Sequence, residues 1–135
     1  MNKHILIAED DANDFKVLQE AFSKCSSKPV LEWVKDGEEL LRHLADHPNP
    51  GLILLDLNMP KKDGRQALKE IKADPKVSHI PIVILTTSNS YDDVMKAYQL
   101  GISTYIIKPM KFSELVESVK LLERYWFGLA QLPAK

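Results

Sequence analysis

The sequence is poor in cysteine and has no long hydrophobic run. Its one cysteine, Cys25, cannot form a disulfide within the chain and has no second thiol with which to bind a metal. Such a composition is typical of proteins in a reducing compartment. The apolar run at residues 5–8 ends at Glu9, which makes it too short for the core of a signal peptide or for a membrane span. We therefore expect a cytoplasmic protein with no membrane partner.

The sequence also lacks an excess of positive charge. It has 18 lysines and arginines against 19 acidic residues, for a formal net charge of -1. There is no basic surplus to neutralise a phosphate backbone, so we expect no nucleic acid among its partners. The length of 135 residues is typical of one compact domain, and a hydrophobic content of 44% is enough to form a buried core.

Short apolar runs alternate along the chain with segments of helical spacing. We predict strands at residues 4–8, 30–34, 52–55, 80–85 and 104–107, and helices at 13–24, 37–47, 65–73, 91–100 and 114–127. Asp36, Asp63 and Ser90 each stand three residues before an acid or amide, as N-terminal helix caps do. Apolar strands that alternate with helices favour a parallel sheet between two helical layers. The sequence thus predicts an α/β, doubly wound fold.

Polar side chains follow several predicted strands, at the end where ligands bind in such folds. Glu9 and Asp10 follow the first strand, Asp56 the third, Thr86 the fourth and Lys108 the fifth. Taken singly, some have ordinary explanations, since an aspartate here can cap the next helix and a lysine is usually solvated. Asp56 is harder to explain in that way, because it follows a wholly apolar run and aspartate is rarely buried without a partner.

Carboxylates brought together at one edge repel one another, and one of them takes up a proton unless a cation is supplied. Mg²⁺ suits such a site, because it accepts one or two carboxylates, retained waters and a phosphate oxygen. The pattern therefore predicts phosphoryl transfer. Asp56 would be the nucleophile, while Mg²⁺, Lys108 and Thr86 would hold the oxygens of the transferred group.

Motifs along nearly the whole chain resemble the response-regulator receiver family. They are Glu9-Asp10, LDLNMP at 55–60, Asp63-Gly64, residues 81–86 and YIIKP at 105–109. The resemblance implies a flavodoxin-like (βα)5 fold with strand order 2-1-3-4-5, and a signalling protein rather than an enzyme. It implies that a histidine kinase phosphorylates Asp56. It also implies that Mg²⁺ binds Asp10 directly, Glu9 through water, Asp56 and the Asn58 backbone carbonyl. Glu9 replaces the family's commoner aspartate, and its longer side chain should still reach the metal.

The resemblance also implies roles around the phosphorylation site. Tyr105 would move inward with Thr86 on phosphorylation. That movement would change the surface formed by the fourth helix, the fifth strand and the fifth helix. The alternative interpretation of Tyr105 is an ordinary half-buried aromatic residue of the strand. Asn58 and Ser88 occupy positions that tune phosphoryl lifetime in the family, and the peptide before Pro109 is expected to be cis.

Several alternatives remain open at this stage. An aspartyl phosphohydrolase resembling the haloacid dehalogenases needs an acid two residues after the nucleophile, where this chain has Asn58. A nucleotide binder needs a glycine-rich turn where residues 9–11 are all acidic. Within the receiver family, the protein can bind a downstream partner or relay the group to a histidine phosphotransfer protein. A narrower resemblance, to the response regulators of phytochrome-type histidine kinases, is carried by residues 86–88, 74–75, 124–127 and 132–133.

Apolar residues recur at heptad-like steps near the C-terminus, at Leu115, Val119, Leu122, Trp126 and Leu129. Docking on the sheet can explain the first three. The later ones, with Phe127, lie near and beyond a helix end that we expect at Gly128. We predict a receiver domain at 1–127, a tail at 128–135, and a homodimer on the fourth and fifth helices. Its clamp would be Leu122, Trp126, Phe127 and Leu129.

Overall fold

The computed structural model describes residues 3–133, in which one parallel sheet lies between two layers of helices. The strands are β1 (His4–Ala8), β2 (Val30–Val34), β3 (Leu52–Leu55), β4 (Ile82–Thr86) and β5 (Thr104–Ile107). The helices are α1 (Ala12–Ser23), α2 (Gly37–Asp46), α3 (Gly64–Ala73), α4 (Tyr91–Leu100) and α5 (Phe112–Glu123), and a π-helical turn, Arg124–Leu129, continues α5. The strand order is β2-β1-β3-β4-β5. The predicted flavodoxin-like fold is confirmed.

The central strand β3 is apolar throughout because its successive side chains face different helical layers. On β3, Leu52 and Leu54 belong to the core layer that includes residues of α1 and α5. Ile53 and Leu55 belong to the layer that includes residues of α2, α3 and α4. Burial on both faces is what a continuous apolar run in a parallel strand predicts. No helix within residues 3–133 is long and apolar enough to cross a membrane.

Side-chain caps start the helices at the predicted places. Asp36, Asp63 and Ser90 each accept a hydrogen bond from the backbone N–H three residues further on, at 2.9, 3.1 and 3.3 Å. Helix α1 is capped by Asp11, so that role does not fall to Asp10. Each cap satisfies an N–H group that has no partner within the helix.

Strand β4 begins two residues later than predicted. The N–H of Ile80 donates to the carbonyl of Val77 at 3.1 Å, which holds Ile80 in the preceding turn. Pro81 has no N–H to contribute to a ladder. The apolar pattern of the sequence therefore extends beyond the hydrogen-bonded strand.

The C-terminal helix does not end at Gly128. Glycine ends a helix when it adopts the left-handed conformation, as Gly101 does after α4 with φ of 100°. Gly128 is not among the glycines with positive φ, and the N–H of Ala130 donates to the Tyr125 carbonyl at 2.7 Å, which closes the π-helical turn. The predicted boundary between residues 127 and 128 lies inside this turn. Residues 134–135 of the predicted tail lie outside the described residues.

The apolar C-terminal residues pack mostly against their own chain. Leu122 and Phe127 are only 7% and 5% exposed and belong to the core layer with α1 and α5, and Trp126 packs partly buried against it. Leu129 is 77% exposed. The prediction that Leu122 and Phe127 clamp a second copy is therefore wrong. The π-helical turn directs Phe127 back towards the sheet, where its burial stabilises the monomer.

Candidate functional site

The parallel strands bring the predicted site residues to one edge of the sheet. Glu9, Asp56 and Lys108 directly follow β1, β3 and β5, while Thr86 ends β4. Backbone N–H groups of Asp56 and Lys108 donate to the neighbouring strand at 3.1 and 2.8 Å, which extends the ladder into the site. Because the ladder fixes these backbones, their side chains project into a common crevice.

Three carboxylates lie close together in this crevice. Glu9, Asp10 and Asp56 each offer an oxygen within 4.8 Å of the others, and Glu9 and Asp56 are only 2% and 7% exposed. Burial raises the pKa of Glu9 to about 7, and the charge of Asp56 adds to this while Lys108 opposes it. Lys108 alone therefore does not neutralise the negative charge of the three carboxylates. An all-oxygen set of this kind fits a hard divalent cation.

Among the described residues, Lys108 supplies positive charge to the three carboxylates. Its Nζ lies 2.5 Å from an oxygen of Glu9, 3.3 Å from Asp56 and 3.4 Å from Asp14. Burial by itself would lower the pKa of Lys108, but the hydrogen bond to Glu9 and the nearby carboxylates raise it above its ordinary value. The sequence analysis missed Asp14. Its place in the first turn of α1, directly after the acidic end of β1, was the signal that could have found it.

The Lys108–Pro109 peptide is trans, because residues 3–133 contain no cis peptide bond. The prediction of a cis bond is therefore wrong. The trans form is favoured for X–Pro bonds in general. The ladder hydrogen bond from Lys108 to the Thr86 carbonyl already places the lysine beside the carboxylates.

Thr86, Asn58, Ser88 and Tyr105 form a second group beside the carboxylates. The buried hydroxyl of Thr86 lies 3.5 Å from both the Asn58 amide nitrogen and the Ser88 backbone nitrogen. The Asn58 backbone N–H donates to Asp56 at 3.1 Å. The half-buried Tyr105 donates its hydroxyl to the Ser88 carbonyl at 2.8 Å. The lifetime-tuning roles of Asn58 and Ser88, and the Asn58 carbonyl as a ligand, stay predictions.

Gly64 allows α3 to approach the backbone of the site. Its N–H donates to the Leu57 carbonyl at 3.0 Å. A Cβ atom at this position would lie 2.3 Å from the carbonyl oxygen of Asp56. Only glycine fits such a contact without a backbone shift, so the Asp63-Gly64 motif has a direct steric reason.

The sequence analysis also missed an ion pair between α3 and α4. Arg65 and Asp93 are joined by two hydrogen bonds and lie beside the loop that follows Asp56. Each residue is an ordinary charged residue in the first turn of a helix. Nothing in the local sequence indicated that they meet.

Comparison with known proteins gives a consistent result. A profile of the response regulator receiver domain matches residues 5–120. The chain is 38% identical to response regulator Rcp1 of Synechocystis sp., over 98% of this chain and 94% of that protein. The structure of the phosphorylated cyanobacterial phytochrome response regulator RcpA has a TM-score of 0.92 at 40% identity, covering 99% of this chain and 100% of that one. The Mn²⁺-bound form of Rcp1 has a TM-score of 0.89 at 38% identity, covering 97% and 99%.

These relatives match in length as well as in sequence and share the strand order that brings the acidic residues together. The chain therefore belongs to the response regulator receiver domain family and is similar to the phytochrome-associated response regulators of two-component systems.

Proposed function

We propose that the protein is a phosphoryl-accepting switch in which Asp56 takes its phosphoryl group from the phosphohistidine of a sensor histidine kinase. The observation that carries this proposal is the setting of the Asp56 carboxylate. It is 7% exposed, lies within 4.8 Å of oxygens from two further acids, and has the Lys108 ammonium at 3.3 Å. Such a carboxylate can act as a nucleophile towards an anion only where positive charge is concentrated.

In the transfer, an Asp56 oxygen forms a bond to phosphorus while the bond from phosphorus to the kinase imidazole breaks. The leaving nitrogen keeps the electron pair of the broken bond and can take up a proton. Lys108 would pair with one phosphoryl oxygen. The Thr86 hydroxyl accepts from the Asn58 amide and the Ser88 N–H at 3.5 Å, which leaves its own O–H to donate to another phosphoryl oxygen. Mg²⁺ bound by Glu9, Asp10 and Asp56 would supply the charge that neutralises the phosphoryl oxygens.

The reaction that the protein promotes is then its own phosphorylation and dephosphorylation. Asn58 places an amide two residues after Asp56, which argues against a phosphohydrolase that needs an acid there. The similarity to RcpA and Rcp1 supports a kinase of the phytochrome type as the partner. Downstream, we propose a protein partner that binds the changed surface, with relay to a histidine phosphotransfer protein as the alternative.

Phosphorylation at Asp56 can be tested with acetyl phosphate and intact-mass measurement, with and without Mg²⁺. We expect one added phosphoryl group in the wild type with Mg²⁺, and none after Asp56→Asn. Asp46→Asn, which changes an exposed aspartate at the end of α2, is the matched control and should accept the group as the wild type does. An Asp56→Asn protein that still gains a hydroxylamine-labile phosphoryl group would show that the site is wrong.

The identity of the kinase partner needs a second experiment. Candidate histidine kinases carrying labelled phosphohistidine, phytochrome-type and other, can be mixed with the protein. Transfer within seconds from the phytochrome-type kinases alone supports this partner class. Equal or faster transfer from an unrelated kinase would contradict it.

We also propose a homodimer that uses the face formed by α4, β5 and α5. Several large apolar side chains on or near this face are exposed, namely Tyr91, Met95, Tyr98, Ile107, Met110 and Phe112. Clustered exposed apolar residues are typical of protein interfaces. Because Tyr105 lies on β5, a movement of this residue would change the affinity of such a dimer.

Sedimentation can test the dimer with and without beryllium fluoride as a phosphoryl mimic. Ile107→Glu places a charge on the proposed interface, where residue 107 is 51% exposed. Val17→Glu is the control on α1, where residue 17 is 41% exposed. We expect wild type and Val17→Glu to dimerise and Ile107→Glu to remain monomeric. Monomeric masses in every sample would rule the dimer out.

A further inference from the structure

One carboxylate on α4 connects two other structural elements. Arg65, at the start of α3, donates from Nε and Nη2 to the two oxygens of Asp93 at 2.9 and 2.7 Å. The Ser88 hydroxyl, in the loop between β4 and α4, donates to the same carboxylate at 2.6 Å. These hydrogen bonds lower the pKa of Asp93 to about 2, with Arg65 as the largest cause and Ser88 the next. Asp93 is therefore ionised at any neutral pH.

The remaining nitrogen of Arg65 faces the loop that follows Asp56. Its Nη1 lies 3.4 Å from the Leu57 carbonyl and 3.5 Å from the side-chain oxygen of Asn58. The amide nitrogen of Asn58 lies in turn 3.5 Å from the Thr86 hydroxyl. One planar guanidinium thus contacts the loop after β3 on one side and, through Asp93, the loop after β4 on the other.

Ser88 is held by both its side chain and its backbone. Its hydroxyl donates a hydrogen bond to Asp93, and its carbonyl accepts a hydrogen bond from the Tyr105 hydroxyl at 2.8 Å. The Tyr105 ring, partly buried, packs against the core layer with α2, α3 and α4. The partly buried position of the Tyr105 side chain therefore depends on where the Ser88 carbonyl lies.

We propose that Arg65, acting through Asp93, is a positioning residue that joins the two loops around Asp56 and holds the Tyr105 side chain in its partly buried position on the Ser88 carbonyl. The effect of this contact on phosphoryl lifetime rests on the proposed phosphorylation of Asp56, whereas the effect on Tyr105 does not. Without the ion pair, Ser88 and Asn58 lose a common anchor. The two loops can then separate, Tyr105 loses a fixed acceptor, and water reaches the Asp56 site more readily.

A second ion pair on α4 offers a matched control. Lys96 and Asp92 lie 2.9 Å apart, and their side chains are 68% and 74% exposed. The Arg65 and Asp93 side chains are 42% and 18% exposed, and the pair has the two-point geometry that gives directional binding. An exposed single pair contributes little, so loss of Lys96 should leave the site unaffected.

The position of Tyr105 can be measured before any phosphorylation. The chain has four tyrosines, so the protein labelled with fluorotyrosine should give four ¹⁹F signals, and Tyr105→Phe identifies one of them. We expect Arg65→Ala and Asp93→Asn to shift or broaden that signal, with the double variant no further changed because the two residues act through one contact. Lys96→Ala should leave the signal in place. An unchanged Tyr105 signal in Arg65→Ala would overturn the proposal.

The consequence for Asp56 can be measured as the decay of the phosphorylated protein after acetyl phosphate is removed. We expect decay to be about three- to tenfold faster in Arg65→Ala and Asp93→Asn than in the wild type and Lys96→Ala. Equal decay in all four proteins would overturn the proposal. If the wild type takes up no phosphoryl group, the proposed function is wrong, while the ¹⁹F signal still decides the role of Arg65.

Discussion

Lowering the pH from 8 to 6 should weaken Mg²⁺ binding about tenfold, because Glu9 takes up a proton in this range. Burial raises the pKa of Glu9 to about 7 in the metal-free protein, and a protonated carboxyl group is no longer a metal ligand. For one competing proton, the apparent Kd is multiplied by 1 plus the ratio of proton concentration to the acid constant. This factor is about 1.1 at pH 8 and about 11 at pH 6.

The same proton affects the stability of the metal-free protein. The pKa of Glu9 is about 7 in the folded chain against a reference of 4.5, and the difference corresponds to about 3 kcal/mol. Above pH 7 Glu9 is charged in both the folded and the unfolded protein, so the folded protein is destabilised by the full penalty of burying that charge. Between pH 7 and 4.5 the folded state binds the proton first, and stability rises as the pH falls. Below pH 4.5 the gain is complete.

A native tryptophan reports on the site. The indole N–H of Trp33 donates to the backbone carbonyl of Glu9 at 2.7 Å. Of the two tryptophans, Trp126 can be replaced by Phe, so that Trp33 alone is observed during a Mg²⁺ titration at pH 8, 7 and 6. Glu9→Gln, which cannot titrate, should bind more weakly and show a flatter pH profile. A wild-type Kd that changes less than about twofold between pH 8 and 6 would refute the reasoning.

The remaining predictions use single substitutions. Lys108→Ala should bind Mg²⁺ at least as tightly as the wild type in the fluorescence titration, since it removes a positive charge 2.5 and 3.3 Å from two proposed ligands; weaker binding would contradict this geometry. Gly64→Ala should lower the free energy of unfolding by about 2–4 kcal/mol in urea, because its Cβ would meet a backbone oxygen at 2.3 Å. Gly128→Ala, with open space around it, should raise that free energy by about 0.5–1 kcal/mol. Phe127→Ala should lower it by about 3–5 kcal/mol, and the exposed Leu129→Ala should change it by no more than about 0.5 kcal/mol; equal effects would contradict the packing of the π-helical turn.

The elements and their order could be read from the sequence because the signals are local. An apolar run such as residues 52–55 indicates a strand buried on both faces, and the caps at Asp36, Asp63 and Ser90 act within one helical turn. The errors lie at the ends. At Ile80 the apolar pattern continued although its N–H bonds back into the preceding turn. At Gly128 the residue type predicted a helix end that its backbone conformation did not provide.

The composition of the candidate site was also predictable, for a reason of topology. Residues that follow parallel strands emerge at one edge of the sheet, so Glu9, Asp56 and Lys108 had to lie at the same edge once the strands were known. The sequence could not predict how their charges pair. That Lys108 binds Glu9 more closely than Asp56, and also reaches Asp14, depends on side-chain positions set by all the elements together.

Only the tertiary structure decided three further features. Phe127 lies inside the monomer and not on a partner, the Lys108–Pro109 peptide is trans, and Arg65 meets Asp93 across 28 positions of sequence. Periodicity and capping describe neighbours within one element. Contacts between elements depend on the distance and rotation at which two helices pack on the sheet, which no short stretch of the chain encodes.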